Sequence, residues 1–303
     1  MKKVWIAGIL IWAAAALDGQ TKISISGEIE WERMELKATV TLNLASAGIN
    51  LPTGRSQAEE VINVEYTSLI LPYILALPID SSDTIEDLIN RGESSLRFPS
   101  FIADTARKIP PVLSADLTSL SSSYTINLMD IISRLIRHRR AMELPRPLTP
   151  IPAAEYSGVI IIASEVMPVH GRNSTALIEP CLFPKIWDTD MNLLYERNIL
   201  DPANFAKNAP VKYVSESGIF RPTPSGLSPE LTEVVGTNPL RVMARGVFGV
   251  RPTDPVIARE DALIILSSEA NRQLLREGRL AIVLNEKTLK NPFNTLLNTE
   301  KKR

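Results

Sequence analysis

The stretch FPKIWDTDMNLLYE sets Asp188, Asp190 and Asn192 at every second position. That spacing opens many calcium loops, and it is equally that of a polar turn between two strands. A helix-loop-helix calcium loop wants glycine at its sixth place and a bidentate glutamate at its twelfth. Counted from Asp188, those places hold Leu193 and Ile199. The flanks LFPKIW and LLYE are strand-like, so the segment reads as a hairpin connection and no metal is assigned to it.

The remaining chemistry-bearing residues are sparse. His138 and His170 are the two histidines, 32 residues apart with one distant cysteine, whereas a metalloenzyme site needs His, Cys and carboxylates converging at open coordination positions. Cys181 is the only cysteine, so no intrachain disulfide can form. It stands in the apolar run IEPCLFPKIW, which suits buried packing rather than a reactive thiol. No G-x-S-x-G element, Walker loop or post-strand G-x-G-x-x-G is present. The carboxylate pairs Glu59-Glu60 and Glu86-Asp87 lie on solvated helix faces, and nothing favours a glycosidase-like pair. Asn173-Ser174-Thr175 forms an N-x-T sequon that reads as a polar loop. Arg134, Arg137, His138, Arg139 and Arg140 make the end of DIISRLIRHRR basic. A solvated helix C-terminus complementing the helix dipole fits that run, with a dedicated anion site as the alternative. No catalytic, cofactor-binding or metal-ligating residue is assigned, and no cofactor.

The elements that must carry these residues follow from hydrophobic period. Ile23, Ile25, Ile29 and Trp31 alternate on odd positions, then Met34 through Leu44 on even ones. The parity change near Glu32-Arg33 predicts a tight hairpin turn or a bulge. Ala58, Val61, Ile62, Tyr66, Leu69 and Ile70 share one helical face, and Pro72 is expected to kink or end that helix. SSDTIEDLINRGE predicts a short helix capped by Ser82 or Asp83 and stopped at Gly92. Two β-like runs follow, Val112 to Leu117 and Tyr124 to Met129. Pro145, Pro147, Pro150 and Pro152 mark an extended linker over residues 144–154.

Beyond the linker, YSGVIIIA reads as a buried strand, DPANFAKNA as a short helix and VKYVSES as a strand. PLRVMARGVFGV and RLAIVLNE read as further strands, flanking one long helix from Glu260 to Gly278. The expected architecture is α+β: two domains of mixed sheet and helices, at residues 20–143 with a helical insertion and 155–289, followed by a loosely held tail at 290–303.

The chain opens MKKVWIAGILIWAAAALDGQ, two lysines before a short apolar run and small residues, the pattern of a secretory signal spanning residues 1–19. Export to the periplasm or cell envelope is the expectation, with no transmembrane span in the mature chain. Hydrophobic residues are 45% and charged residues 22%, an ordinary globular balance. A net charge of −1 gives no field that would gather nucleic acid.

Several of these segments also carry a likeness. Tyr156-Ser157-Gly158, the Asp188 to Asp190 turn closed by Tyr195, Asn238 to Val242, and Thr253 to Ala262 resemble exported bacterial envelope proteins related to the twenty-kilodalton surface lipoprotein. EIEWERMELKATV and the helix bearing Arg55, Ala58 and Tyr66 are similar to the same family and to the N-terminal domain of the flagellar H-ring protein. The chain departs from that pattern in lacking a lipid-attachment cysteine, in having Ala163-Ser164 where many relatives carry aspartate-alanine-arginine, and in an inserted segment at residues 75–110. The resemblance implies a non-enzymatic envelope protein, an accessory to flagellar or cell-envelope assembly, whose partner is an envelope or basal-body protein. An exported hydrolase of envelope polymer and a periplasmic small-ligand-binding protein are the alternatives. The C-terminal domain is the expected docking piece: its helix sets Arg272, Arg276 and Glu277 beside Ile264, Leu266, Leu274 and Leu275, a face expected to be mostly core with only its edge at an interface.

Overall fold

A computed structural model describes residues 22–93, 97–204, 209–219 and 226–294. The signal-like segment 1–19 and the tail beyond residue 294 lie outside the described residues. Helices and mixed sheets form two α+β units, as the hydrophobic patterns predict.

The first unit is built on an antiparallel sheet. Strands β1 (Ile23–Glu30) and β2 (Glu35–Asn43) pair from Glu30↔Glu35 to Ile23↔Leu42. The parity change is a turn at residues 31–34, with Met34 in the left-handed region at φ 53°. Two short strands, β3 (Arg107–Lys108) and β4 (Val112–Leu113), pair with β5 (Ser119–Asn127), which lies against β2. Alternation puts Leu36, Ala38, Val40 and Leu42 of β2, with Leu120, Tyr124 and Ile126 of β5, on one buried face. Helix α1 (Arg55–Leu75) lays Ala58, Ile62, Ile70 and Ile74 into that core, and Tyr66 stacks on Tyr124 at 4.4 Å.

Pro72 does not end α1. It and Ser68 are exposed, so water reaches the carbonyl that the missing N–H leaves open. Helix α2 (Ile85–Asn90) is capped by Thr84, not by Ser82 or Asp83. The Thr84 hydroxyl and the Asp87 carboxylate serve each other's backbone N–H groups in a capping box, and Gly92 follows at φ 71°. Helix α3 (Phe98–Thr105) completes the insertion.

Helix α4 (Leu128–Leu135) starts directly after β5, its first turn capped by the Asn127 side chain. The second β-like run therefore ends two residues earlier than expected but begins at Ser119, while the first pairs only over Val112–Leu113. The helix also stops before the basic run, so Arg137, His138, Arg139 and Arg140 lie on chain that is extended at Ile136 and bends at Arg139 and Arg140, and only Arg134 lies in the last turn to act on the helix dipole.

The second unit is a seven-stranded mixed sheet. Its parallel centre is β12 (Leu240–Phe248), β6 (Val159–Ile162), β14 (Leu280–Leu284) and β11 (Lys212–Ser215), in that order. Strand β14 is buried along its whole length, and β6 along all but Ile162, the mark of a parallel strand covered on two faces. Beyond β12 come β13 (Asp254–Ile257), β9 (Ile186–Asp188) and β10 (Leu193–Tyr195). A small ribbon, β7 (Met167–Pro168) with β8 (Thr175–Ala176), lies against β12, where the His170 N–H donates to the Val247 carbonyl at 2.8 Å. Short helices α5 (Glu216–Ile219) and α6 (Pro229–Val235) lead from β11 to β12.

The expected long C-terminal helix is two helices, α7 (Arg259–Ser267) and α8 (Glu269–Arg276). Ser268 is extended at φ −102°, ψ 132°, and its hydroxyl accepts from the Asn271 N–H to start α8. The Asn271 and Arg272 side chains donate to the carbonyls of Ile264 and Leu266 that the break leaves open. Leu274 and Leu275 are buried, as expected of most of that face, and Arg272 is buried with them, while Ile264, Leu266, Arg276 and Glu277 are half-buried.

The linker is extended but held, with Leu144 buried and the Ile151 N–H donating to Ser267 Oγ at 3.0 Å. After the one-turn helix α9 (Glu286–Leu289), residues expected to be loose form strand β15 (Lys290–Pro292), which adds to the far sheet beside β1. Phe293 is buried there against Tyr73, ring centroids 3.8 Å apart. One apolar cluster runs through both units.

Candidate functional site

The groups with the most perturbed chemistry meet where the two units touch. Residues 78–81 leave α1 and run along the second unit, Pro78 and Ile79 accepting from the N–H groups of Leu182 and Phe183 and Ser81 from that of Arg251. Beside them Asp80 pairs with Lys185 at 2.9 Å. Burial works against the Lys185 ammonium, but the Asp80 carboxylate outweighs it and holds the group above its ordinary range.

Asp254, the first residue of β13, is fully buried. It accepts from Thr253 Oγ1 at 2.9 Å, the Lys185 N–H at 3.2 Å and Trp187 Nε1 at 3.4 Å. Burial pushes its carboxyl up, and hydrogen bonds from the Ser81 and Thr253 hydroxyls pull partly back. Burial likewise pushes the Cys181 thiol up, reinforced by the Asp254 charge, so Cys181 is a packed thiol and not a nucleophile.

The Tyr213 hydroxyl accepts from the Cys181 N–H and donates to its carbonyl. Against the Tyr213 ring lies the edge of Trp31, centroids 6.0 Å apart at 81°. Trp31 comes from the β1–β2 turn, and its Nε1 donates to Asn291 at 2.8 Å. Next to it Glu32 accepts twice, from Lys212 Nζ at its carbonyl and from the Ser215 N–H at its carboxylate, each at 2.7 Å. These residues tie one unit to the other.

Asp188 is the anchor of the β9–β10 turn. Its carboxylate accepts from the N–H groups of Asp190 and Asn192 and from Asn192 Nδ2, at 2.8 to 2.9 Å. Met191 takes φ 61° at the corner, and Asp190 pairs outward with Arg259 at 2.7 Å. The segment is a hairpin connection. Asp188→Ala is expected to cost about 1–3 kcal/mol by orphaning those donors. Calcium is expected to leave the wild-type melting temperature unchanged, since only a native-state ligand raises it; a rise of several degrees at sub-millimolar calcium, lost in Asp190→Ala, contradicts the assignment.

The other candidates scatter. His170 is exposed with its ring edge toward Phe248. Glu59 pairs with Arg55 on α1, Asp87 serves the α2 cap, and Glu60 and Glu86 face solvent. Asn173 and Ser174 are exposed just before β8.

What the first unit presents outward is the second side of its sheet. Helices α1, α3 and α4 join the core on the apolar side. Opposite them, the register aligns Ser24, Thr41 and Ser121 in one row and Ser26, Thr39 and Ser123 in the next. Thr39 and Ser123 share a hydrogen bond at 3.1 Å, and Thr41 and Ser121 one at 2.9 Å. A charged row follows, in which Lys37 pairs with both Glu30 and Glu35. Hydrogen bonding to Lys37 holds the Glu30 carboxyl below its usual range. This is a flat face of short hydroxyls bordered by charge. The β2 alternation alone implied its polar half; the serine run of β5 completes it.

The segments that carried the sequence likeness are joints of the fold. Ser157 Oγ donates to the Val235 carbonyl at the end of α6 and accepts from the Asn238 N–H. A Cβ on Gly158 would stand 2.5 Å from Val235 Cα, so only glycine lets β6 pass so close. Tyr195 donates to the Pro210 carbonyl. Comparison with known families begins its second match at Gly158. Residues 22–135 match the family described as Treponema pallidum Tp0624, N-terminal domain, and residues 158–286 match Treponema pallidum Tp0624, second domain. The chain belongs to the two-domain Tp0624 family. That bacterial family is of unknown function. No curated protein matches the chain. The Tp0624 match to the N-terminal domain ends at the last residue of α4, and that to the second domain begins at Gly158. Strand β15 lies beyond both, yet completes the first sheet. No helix among the described residues is long and apolar enough to cross a membrane.

Proposed function

We propose that this member of the Tp0624 family is a non-enzymatic interaction protein, exported to the bacterial envelope, that docks to another envelope protein through the hydroxyl face of its first sheet. The observation that carries this reading is the open face itself: a register-aligned array of Ser24, Ser26, Thr39, Thr41, Ser121 and Ser123 on the side of the sheet away from the helices. Short hydroxyls are neither needed for that core nor bulky enough to shield it. They can exchange water for a partner's polar groups at small cost in side-chain entropy.

The signal-like start and the likeness to surface-lipoprotein and H-ring proteins support an accessory role in flagellar or cell-envelope assembly. The buried Asp254, Cys181 and Tyr213 support a binding rather than a catalytic role, because their hydrogen bonds are spent within the fold. Crosslinking in intact cells followed by mass spectrometry is expected to recover one reproducible envelope or basal-body partner, with a mature N-terminus near Gln20. Deletion is expected to alter envelope integrity or motility. Cleavage of cell-wall polymer by the purified protein, abolished by changing a single Asp/Glu pair that leaves the fold intact, sinks the proposal in favour of a hydrolase.

A further inference from the structure

We infer that a small pocket between the two units binds a phosphate group. Its apolar wall is Leu88, Leu135 and Ile136, and its polar lining is Arg137, His138, Arg197, Asn198 and Glu93. Arg137 and His138 belong to the basic run that the α4 boundary leaves outside the helix, while Arg197 and Asn198 come from a 3-10 turn of the second unit, Arg197–Ile199. Two backbone-directed bonds close the seam around it. His138 Nε2 donates to the Leu200 carbonyl, and the Met142 N–H donates to the Asn198 carbonyl, each at 2.7 Å. The cavity of about 80 Å³ is several times what one water needs. It suits one small oxyanion and is far too small for a nucleotide.

Charge decides the ligand class. Among the described residues, Arg137 and Arg197 have no carboxylate partner, whereas Glu93 is already engaged by Arg91 at 2.9 Å. Arg91 is itself held by Asp83. The Leu200 bond fixes the His138 ring on Nε2 and leaves Nδ1 as its other polar atom. Two guanidiniums, one from each unit, outweigh the Glu93 carboxylate, which shares Arg91 with Asp83, and the partial negative charge of the α4 C-terminus, which is only about half an elementary charge. Guanidinium forks match the oxygens of a phosphate. Junctions between domains are also where such pockets concentrate.

The inference is independent of the docking proposal, because the pocket lies at the end of α4, on the helix side of the first sheet. The test is titration of the purified full chain with inorganic phosphate, with acetate, and with vesicles containing phosphatidylglycerol, at constant ionic strength. Phosphate is expected to bind and to raise the melting temperature with the logarithm of its concentration once that exceeds Kd. In Arg137→Gln and Arg197→Gln the affinity is expected to fall at least about tenfold each, by loss of a charge-assisted bond, with the ligand-free melting temperature unchanged. Binding to the vesicles alone, lost in the same variants, assigns the phosphate group to a lipid headgroup instead of the free ion. Acetate binding as tightly as phosphate, or phosphate binding unaltered in both variants, overturns the inference. Thr41→Arg, on the open face, is expected to leave phosphate binding intact.

Discussion

Trp31→Ala is expected to destabilise the protein by about 3–5 kcal/mol in urea denaturation, the range for removing a large aromatic from a closed core. The ring is 1% exposed, meets Tyr213 of the second unit edge-on and donates to Asn291 of the returning C-terminal segment. Its loss therefore opens a cavity at the seam and also orphans the Asn291 acceptor. Trp31→Phe retains most of the apolar contact but not the N–H, so a smaller cost, about 1–3 kcal/mol, is expected. A loss below about 1 kcal/mol in Trp31→Ala would mean that the units do not depend on this contact, because surface substitutions lie in that range.

Asp254→Ala is expected to cost about 2–4 kcal/mol, since it leaves Trp187 Nε1, the Lys185 N–H and two hydroxyls facing a void. Its pH dependence has a definite sign. Burial raises the Asp254 carboxyl in the folded protein, so the folded state holds the proton more tightly than the unfolded chain does. That contribution is complete below the unfolded carboxyl value, about 4, and is lost as pH rises through the higher folded value. Wild type should therefore lose stability relative to Asp254→Asn as pH rises from about 4.

Asp83 and Asp87 work the other way. The hydrogen bond from Arg91 holds Asp83 low, and the backbone bond from Thr84 holds Asp87 low. Their stabilisation is present above about pH 4 and fades as pH falls through their folded values. Denaturant midpoints of wild type, Asp254→Asn and Asp87→Asn across pH 3 to pH 8, about the range that spans these groups, separate the two effects. A gap between wild type and Asp254→Asn that does not change with pH contradicts the assignment to Asp254.

What was legible in the sequence is whatever repeats locally. The alternation of Leu36, Ala38, Val40 and Leu42, the α1 face from Ala58 to Ile70 and the buried run at Val159 to Ile161 all appear where period and burial require them. Breaks inside a periodic run were harder. Ser268 followed by Glu269 is a helix-start signal, but it lies within apolar spacing that continues smoothly from Ile264 to Leu275. Thr84 competed with Ser82 and Asp83 as a cap, and only the Asp87 side chain decides among them.

The seam was not legible because its members are far apart in the chain. Ser81, Cys181 and Asp254 have no spacing to connect them. One signal was present nonetheless: a carboxylate opening the otherwise apolar strand DPVI must be buried with donors around it. The end of α4 was misplaced because the residues after Leu135 keep a helix-compatible composition. A tertiary bond, from His138 to Leu200, draws the chain away instead.

The central claim is that the hydroxyl face of the first sheet is where this protein engages its partner. The most direct measurement is in-cell crosslinking from a photoreactive residue placed at Thr41, in wild-type background and with Ser123→Arg added. A single envelope or basal-body partner is expected in the first case and its loss in the second, while the melting temperature of Ser123→Arg stays within the shift that about 1 kcal/mol produces. An equal yield of the same adduct with Ser123→Arg, or partner capture only from residues on α7 and α8, would contradict the account.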